Sequence, residues 1–173
     1  YGLDMDSDLT HAAAGNHREL LETRGFVVTS NSNHHESEIS LTAKRQNMSI
    51  TIVLLTGNIF GADFRERFRD ANINTVTANA FFDLVPLSPA LETIKSVLPA
   101  GGMLYSTINY DGRTTILPRY GNEEFEEKLY SVYDRSMDER PTYNELVGGH
   151  RCGSKMFGAL EAAGYRVIGY GNS

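Results

Sequence analysis

Two runs decide the fold: Thr77-Ala78-Asn79-Ala80-Phe81-Phe82-Asp83-Leu84-Val85-Pro86, and later Leu98-Pro99-Ala100-Gly101-Gly102-Met103-Leu104-Tyr105. With Ile73-Asn74-Thr75-Val76 ahead of it, the first run predicts a buried strand over 73–80 and a loop at that strand's carboxyl end. A helix follows. Ser88 is placed to cap it, and Pro89 falls in its first turn, where a missing N–H costs nothing. Leu91, Ile94 and Leu98 form its apolar stripe. Gly101-Gly102 makes a tight turn into a second strand over 103–109. Alternation of strand and helix points to a parallel sheet. In open α/β sheets, ligands bind beyond the carboxyl ends of the strands. Asn79 and the residues after it are therefore the first candidates for a site.

Towards the amino terminus, Ser49-Ile50-Thr51-Ile52-Val53-Leu54-Leu55 is β-branched and apolar, and Ile39-Ser40-Leu41-Thr42-Ala43 alternates. Lys44-Arg45-Gln46-Asn47 suits a turn between them, so a hairpin is predicted near 38–55. Phe26-Val27-Val28-Thr29 is a candidate short strand. Ser7–Leu21 reads as a helix with Leu9, Ala12, Ala13, Leu20 and Leu21 roughly on one face, Asp6 or Ser7 as its cap and Gly25 as its stop. The opening phrase Tyr1-Gly2-Leu3-Asp4 reads as a strand running into that helix.

Towards the carboxyl terminus, Tyr110-Asp111-Gly112-Arg113 reads as a turn, Tyr105 to Tyr143 is aromatic-rich, and a helical insertion is expected near 111–150. Within it, Glu123–Met137 is an amphipathic helix with Phe125, Leu129, Val132, Tyr133 and Met137 at helical spacing. Its clustered glutamates lie at the positive end of the helix dipole. Gly153–Ala163 is a further helix ended by Gly164, and Tyr165–Tyr170 a final strand. The expected fold class is α/β: a single domain over 1–173, with a doubly wound, mainly parallel, Rossmann-like sheet and helices on both faces.

Composition narrows the function. A hydrophobic fraction of 40% in 173 residues supports the core of one domain. A net charge of −6 argues against a nucleic-acid surface. The single cysteine, Cys152, allows no internal disulfide and fits a cytoplasmic protein. No apolar run approaches the ~20 residues of a membrane span, so no membrane partner is expected. His34-His35, His11 and His17 lack partners at metal-ligand spacing, and no metal is expected. His150 lies near Cys152, but a cysteine nucleophile needs an oriented base that the spacing does not supply.

The order and wording of these elements resemble a class I S-adenosylmethionine-dependent methyltransferase, from Asp4 to the final strand. The resemblance makes Tyr1–Asp4 the second strand, Ile50–Leu55 the third, Ile73–Ala80 the fourth and Met103–Asn109 the fifth. It implies a first strand and a glycine-rich cofactor loop ahead of Tyr1, so that the chain reads as part of a larger parent. It implies S-adenosyl-L-methionine as cofactor, with Asp4 holding the ribose diol and Met5 packing on the adenine. The alternative for this acid is that Asp4 or Asp6 simply caps the helix. Thr56-Gly57-Asn58-Ile59-Phe60 stands where the family has a Gly-Asp-hydrophobic phrase, so Asn58 would accept the adenine amino group and Ile59 would offer its N–H. An ordinary asparagine turn explains the same phrase.

Asn79 takes the position that faces the transferred methyl in relatives, or else satisfies loop backbone. Phe81 and Tyr110 are pocket candidates, and Asp83 or Asp111 would serve if a base is needed. The family's Asn-Pro-Pro-Tyr-type motif is absent, which leaves a small-molecule methyl acceptor as the expected partner. A sheet edge left open admits pairing with a second copy, hence a homodimer. Two other readings remain: a non-catalytic Rossmann-like binding module, and a nicotinamide-dependent oxidoreductase. The latter usually shows a Tyr-x-x-x-Lys pair, which does not occur in this sequence.

Overall fold

The computed structural model describes all residues except 33–36, 63, 69–70, 109–111, 113–116, 119–120, 143–144 and 172–173. They divide into two units, Tyr1–Phe64 and Arg65–Ser173.

In the first unit, β1 (Gly2–Asp4) leads into α1 (Ser7–Thr23), followed by β2 (Val27–Ser32), β3 (Glu38–Arg45) and β4 (Met48–Thr56). The strands form one sheet in the order β1-β4-β3-β2. The expected hairpin is present, from Arg45 opposite Met48 to Glu38 opposite Leu55. It gains a third strand, because the short candidate at 26–29 extends to Ser32 along β3. β1 joins parallel to β4, with Asp4 beside Thr56. This sheet is therefore mixed rather than mainly parallel: the short β3–β4 turn forces antiparallel pairing, and only β1 arrives in parallel.

Alternation along β3 sends Ile39, Leu41 and Ala43 to one buried face. Ile39 and Leu41 cluster with Leu54, and Ala13 and Ala14 of α1 pack against them. The helix thus turns Thr10, Ala13 and Ala14 inward. Leu9 and Leu20, expected inside, are exposed. Alanine lets the helix backbone approach a β-branched sheet more closely than leucine does, and Thr10 loses nothing because its hydroxyl donates to the Asp6 carbonyl at 2.9 Å.

A short α2 (Phe64–Phe68) crosses the division between the units. In the second unit, β5 (Thr75–Asn79), α3 (Leu87–Val97) and β6 (Met103–Thr107) make the expected strand–helix–strand unit. The two strands run parallel from Thr75 beside Met103 to Asn79 beside Thr107. They form a two-stranded sheet of their own, so the parallel strands fall in separate sheets. α3 begins two residues earlier than a Ser88 cap implies. Pro86 is its N-cap, without a side-chain bond, and Ser88 lies inside the helix. α4 (Glu123–Asp138) is capped by Asn122, whose side-chain oxygen accepts from Phe125 N–H at 3.1 Å. A two-residue pair, β7 (Pro141–Thr142) and β8 (Glu145–Leu146), leads to a 3₁₀ turn over Gly149–Arg151 and to α5 (Cys152–Ala162).

Phe82, Leu91, Ile94 and Cys152 are fully buried in this unit. Lys95 Nζ donates to the Ala163 carbonyl at 2.6 Å, and the Tyr165 hydroxyl to the Leu91 carbonyl at 3.2 Å, so α3 is tied to the end of α5.

Two expectations need correction here. On α4, Met137 is buried, but Phe125, Leu129, Val132 and Tyr133 are exposed, and the second inward residue is Glu126. Helical spacing tells which residues share a face, not whether anything covers it. Tyr165–Tyr170 is not a strand. After Gly164 (φ 77°) reverses the chain, Tyr165 N–H returns to the Leu160 carbonyl, and the Tyr170 ring meets Phe157 edge-on at 5.3 Å. No sheet edge receives the segment among the described residues, and β propensity without a partner strand does not make a strand. No helix among the described residues is long and apolar enough to cross a membrane.

Candidate functional site

In the first unit, parallel pairing brings the carboxyl ends of β1 and β4 side by side. Gly57 N–H donates to the Asp4 carbonyl at 2.8 Å, which places Asn58 and Ile59 next to Asp4 and Met5. The two nearby carboxylates divide their work. Asp6 caps α1: its Oδ1 accepts from Asp8 N–H at 2.8 Å and Leu9 N–H at 3.2 Å. Asp4 does not reach the helix. Its Oδ1 accepts only from Asp6 N–H at 2.9 Å, and its Oδ2 has no partner among the described residues. The side chains of Asp4 and Met5 are exposed, and Ile59 is half-buried. Asn58 closes a turn of its own, its Oδ1 accepting from Phe60 N–H at 2.9 Å and its carbonyl from Gly61 N–H at 2.9 Å. A groove of about 170 Å³ on this unit lies under α1 beside His11, Gly15, Arg18 and Leu41, and includes none of the predicted site residues.

In the second unit, the carboxyl ends of β5 and β6 are stitched together. Thr107 Oγ1 donates to Asn79 Oδ1 at 3.0 Å, and Ala80 N–H to the Thr107 carbonyl at 2.9 Å. Ala80 takes a left-handed conformation (φ 48°), which turns the chain sharply out of the sheet. Phe81 is half-buried and meets Phe82 edge-on at 5.2 Å. Asp83 holds a buried Oδ1 that accepts from no donor among the described residues, as does Ser106 with its Oγ. Such atoms carry a desolvation cost and mark where a donor is wanted. Tyr110 and Asp111 lie outside the described residues.

One arrangement here escaped the sequence. Asp138, the last residue of α4, accepts from His150 twice: from the backbone N–H at Oδ1 (3.1 Å) and from the ring Nδ1 at Oδ2 (2.7 Å). The His150 hydrogen bond holds the Asp138 carboxyl below the usual carboxylate range, against the opposing effect of burial. Gly149 makes the approach feasible. It sits at φ 70°, and a Cβ there would meet Asp138 Oδ1. The only sequence signal was Gly148-Gly149 immediately ahead of His150. No group of three or more acidic, histidine or cysteine side chains able to hold a metal occurs among the described residues.

Comparison of the chain with family models, curated proteins and solved structures finds no match.

Proposed function

We propose that this chain is a methyltransferase that uses S-adenosyl-L-methionine to methylate a small molecule, on a doubly wound Rossmann-like fold. One observation carries the reading: the helix cap is Asp6, which leaves the Asp4 carboxylate exposed at the carboxyl end of a strand with an oxygen to spare. That is the placement a ribose diol requires. On this reading Asp4 accepts from the ribose hydroxyls, Met5 packs on the adenine, Asn58 takes its amino group and Ile59 offers its backbone N–H to the ring. Methyl transfer from a sulfonium depends on in-line placement of nucleophile and methyl more than on acid–base groups. The chemistry is therefore compatible with a site of few charged residues.

The test is calorimetric titration of the full-length protein with S-adenosylhomocysteine, the product, which binds without turning over. Saturable binding that competes with S-adenosylmethionine is the expected result, and no binding removes the reading. A second reading, a non-catalytic Rossmann-like binding module, draws on the local use of both Asn58 and Asn79 oxygens. It is favoured if the cofactor binds but no acceptor is ever methylated.

A further inference from the structure

The groove of about 170 Å³ on the first unit lies between α1 and its sheet. Its floor is apolar: Ile39 and Leu41 of β3, with Ala14 of α1 packed against them. Ser30 of β2 stands at its edge. Ser30 pairs with Leu41, so the two side chains leave the same face of the sheet. α1 supplies the other wall through His11, Gly15 and Arg18, which are spaced i, i+4 and i+7 and share one helix face. None of the residues assigned to the cofactor lines this groove.

Gly15 is the informative residue. It stands inside α1, where glycine weakens a helix relative to alanine. Its backbone is helical, so no left-handed turn calls for glycine. A Cβ there would meet no atom within 4 Å, so no close packing calls for it either. What the missing side chain leaves is room in the groove that Gly15 borders.

The polar groups of the groove suit an anion. No acidic side chain lines it among the described residues. Arg18 keeps 40% of its side-chain exposure, and its only ion pair among the described residues is with Glu22, one turn on, at 3.8 Å. That separation is beyond hydrogen-bond reach. The forked guanidinium donors are thus open to the two oxygens of a carboxylate. Ser30 adds a hydroxyl, and His11 is held at the far end with Nδ1 on the Ser7 carbonyl at 2.7 Å. A cavity of roughly 150 Å³ accommodates a benzene ring, so this one takes an apolar body of similar size.

We infer that this groove is a binding site for a small organic carboxylate. The carboxylate pairs with Arg18, and an apolar body the size of a single ring lies on Ile39 and Leu41 in the space beside Gly15. Benzoate is the probe, with benzyl alcohol as its neutral counterpart. Each is titrated into the nitrogen-15-labelled full-length protein while the backbone amide shifts are followed. Benzoate should move the amides of residues 11–18 and 39–41 saturably, and benzyl alcohol should bind at least about tenfold more weakly, since it lacks charge-assisted bonds to Arg18. Arg18→Gln should cost benzoate a similar factor and leave benzyl alcohol unaffected. Gly15→Ala should move two readouts in opposite directions, raising the melting temperature and weakening benzoate. The inference is overturned by equal binding of the two probes, by no shifts at these amides, by benzoate affinity that survives Arg18→Gln, or by a Gly15→Ala protein that melts higher yet binds benzoate as before. Shifts of the same amides on dilution without probe assign the groove to a second copy of the chain and overturn it as well.

Discussion

Asp4 and Asp6 are two residues apart and chemically identical, yet only Asp6 caps α1, so exchanging each for alanine tests the cofactor reading directly. Asp6→Ala removes the acceptor of two α1 backbone N–H groups, at 2.8 and 3.2 Å. Loss of such a cap costs about 1 kcal/mol, which for a chain of this size lowers the melting temperature by roughly 2–4 °C. It should leave cofactor affinity nearly unchanged. Asp4→Ala removes one turn bond to an exposed N–H and no helix cap, so its melting temperature should fall by less than that of Asp6→Ala. If its carboxylate holds the ribose, the affinity loss follows from hydrogen bonds to a charged acceptor, roughly 1.5–3 kcal/mol, or on the order of tenfold to a hundredfold. Calorimetry with S-adenosylhomocysteine and thermal melts on both variants of the full-length protein complete the test. The reasoning is refuted if Asp4→Ala melts as low as Asp6→Ala while binding at the wild-type level.

Other expectations bear on stability. Leu41→Ala empties the centre of the first unit's core, where Leu41 is 2% exposed, and should cost about 2–5 kcal/mol in urea unfolding. Gly148→Ala pushes a Cβ into the Phe82 carbonyl and to 2.8 Å from Cys152 Sγ, so it should destabilise by roughly 1–3 kcal/mol, read by the same assay. Asp138 has a lowered pKa in the folded chain, so its contribution is present above the unfolded carboxylate value of about 3.9 and is lost as pH falls through the folded value. Unfolding titrations between neutral pH and strong acid should therefore show a smaller loss of stability in Asp138→Asn than in the wild type; equal losses would contradict the assignment.

What could be read from the sequence was local. The stretch from Thr77 to Tyr105 specifies its strand–helix–strand unit through neighbours in the chain: β-branched residues, a proline in the first helical turn and a glycine turn, all of which the structure keeps. The hairpin over 38–55 was legible for the same reason, since a short turn brings its two strands together in antiparallel register. Periodicity on α1 and α4 fared worse. It identifies a face, but burial needs a neighbour, and the face that packs on α1 is the small one, Thr10 with Ala13 and Ala14. The last run, Tyr165–Tyr170, has strand-forming residues and no edge to join, so composition without a partner misled.

The Asp138–His150 pair marks the limit most clearly. Twelve residues separate the two side chains, and they sit on different elements. Their meeting depends on a glycine with positive φ that has no room for a Cβ, and on two backbone bonds that anchor the turn to residues 83–85. None of that is periodic, so no pattern of side chains could announce it. Glycines 148 and 149 were the visible trace, because close approach of backbone to backbone, or of a carboxylate to backbone, excludes every other residue type. The same reasoning separates Asp4 from Asp6. Sequence places both acids at the end of a strand and the start of a helix, but only hydrogen-bond geometry shows that one is occupied by the helix while the other keeps an oxygen free.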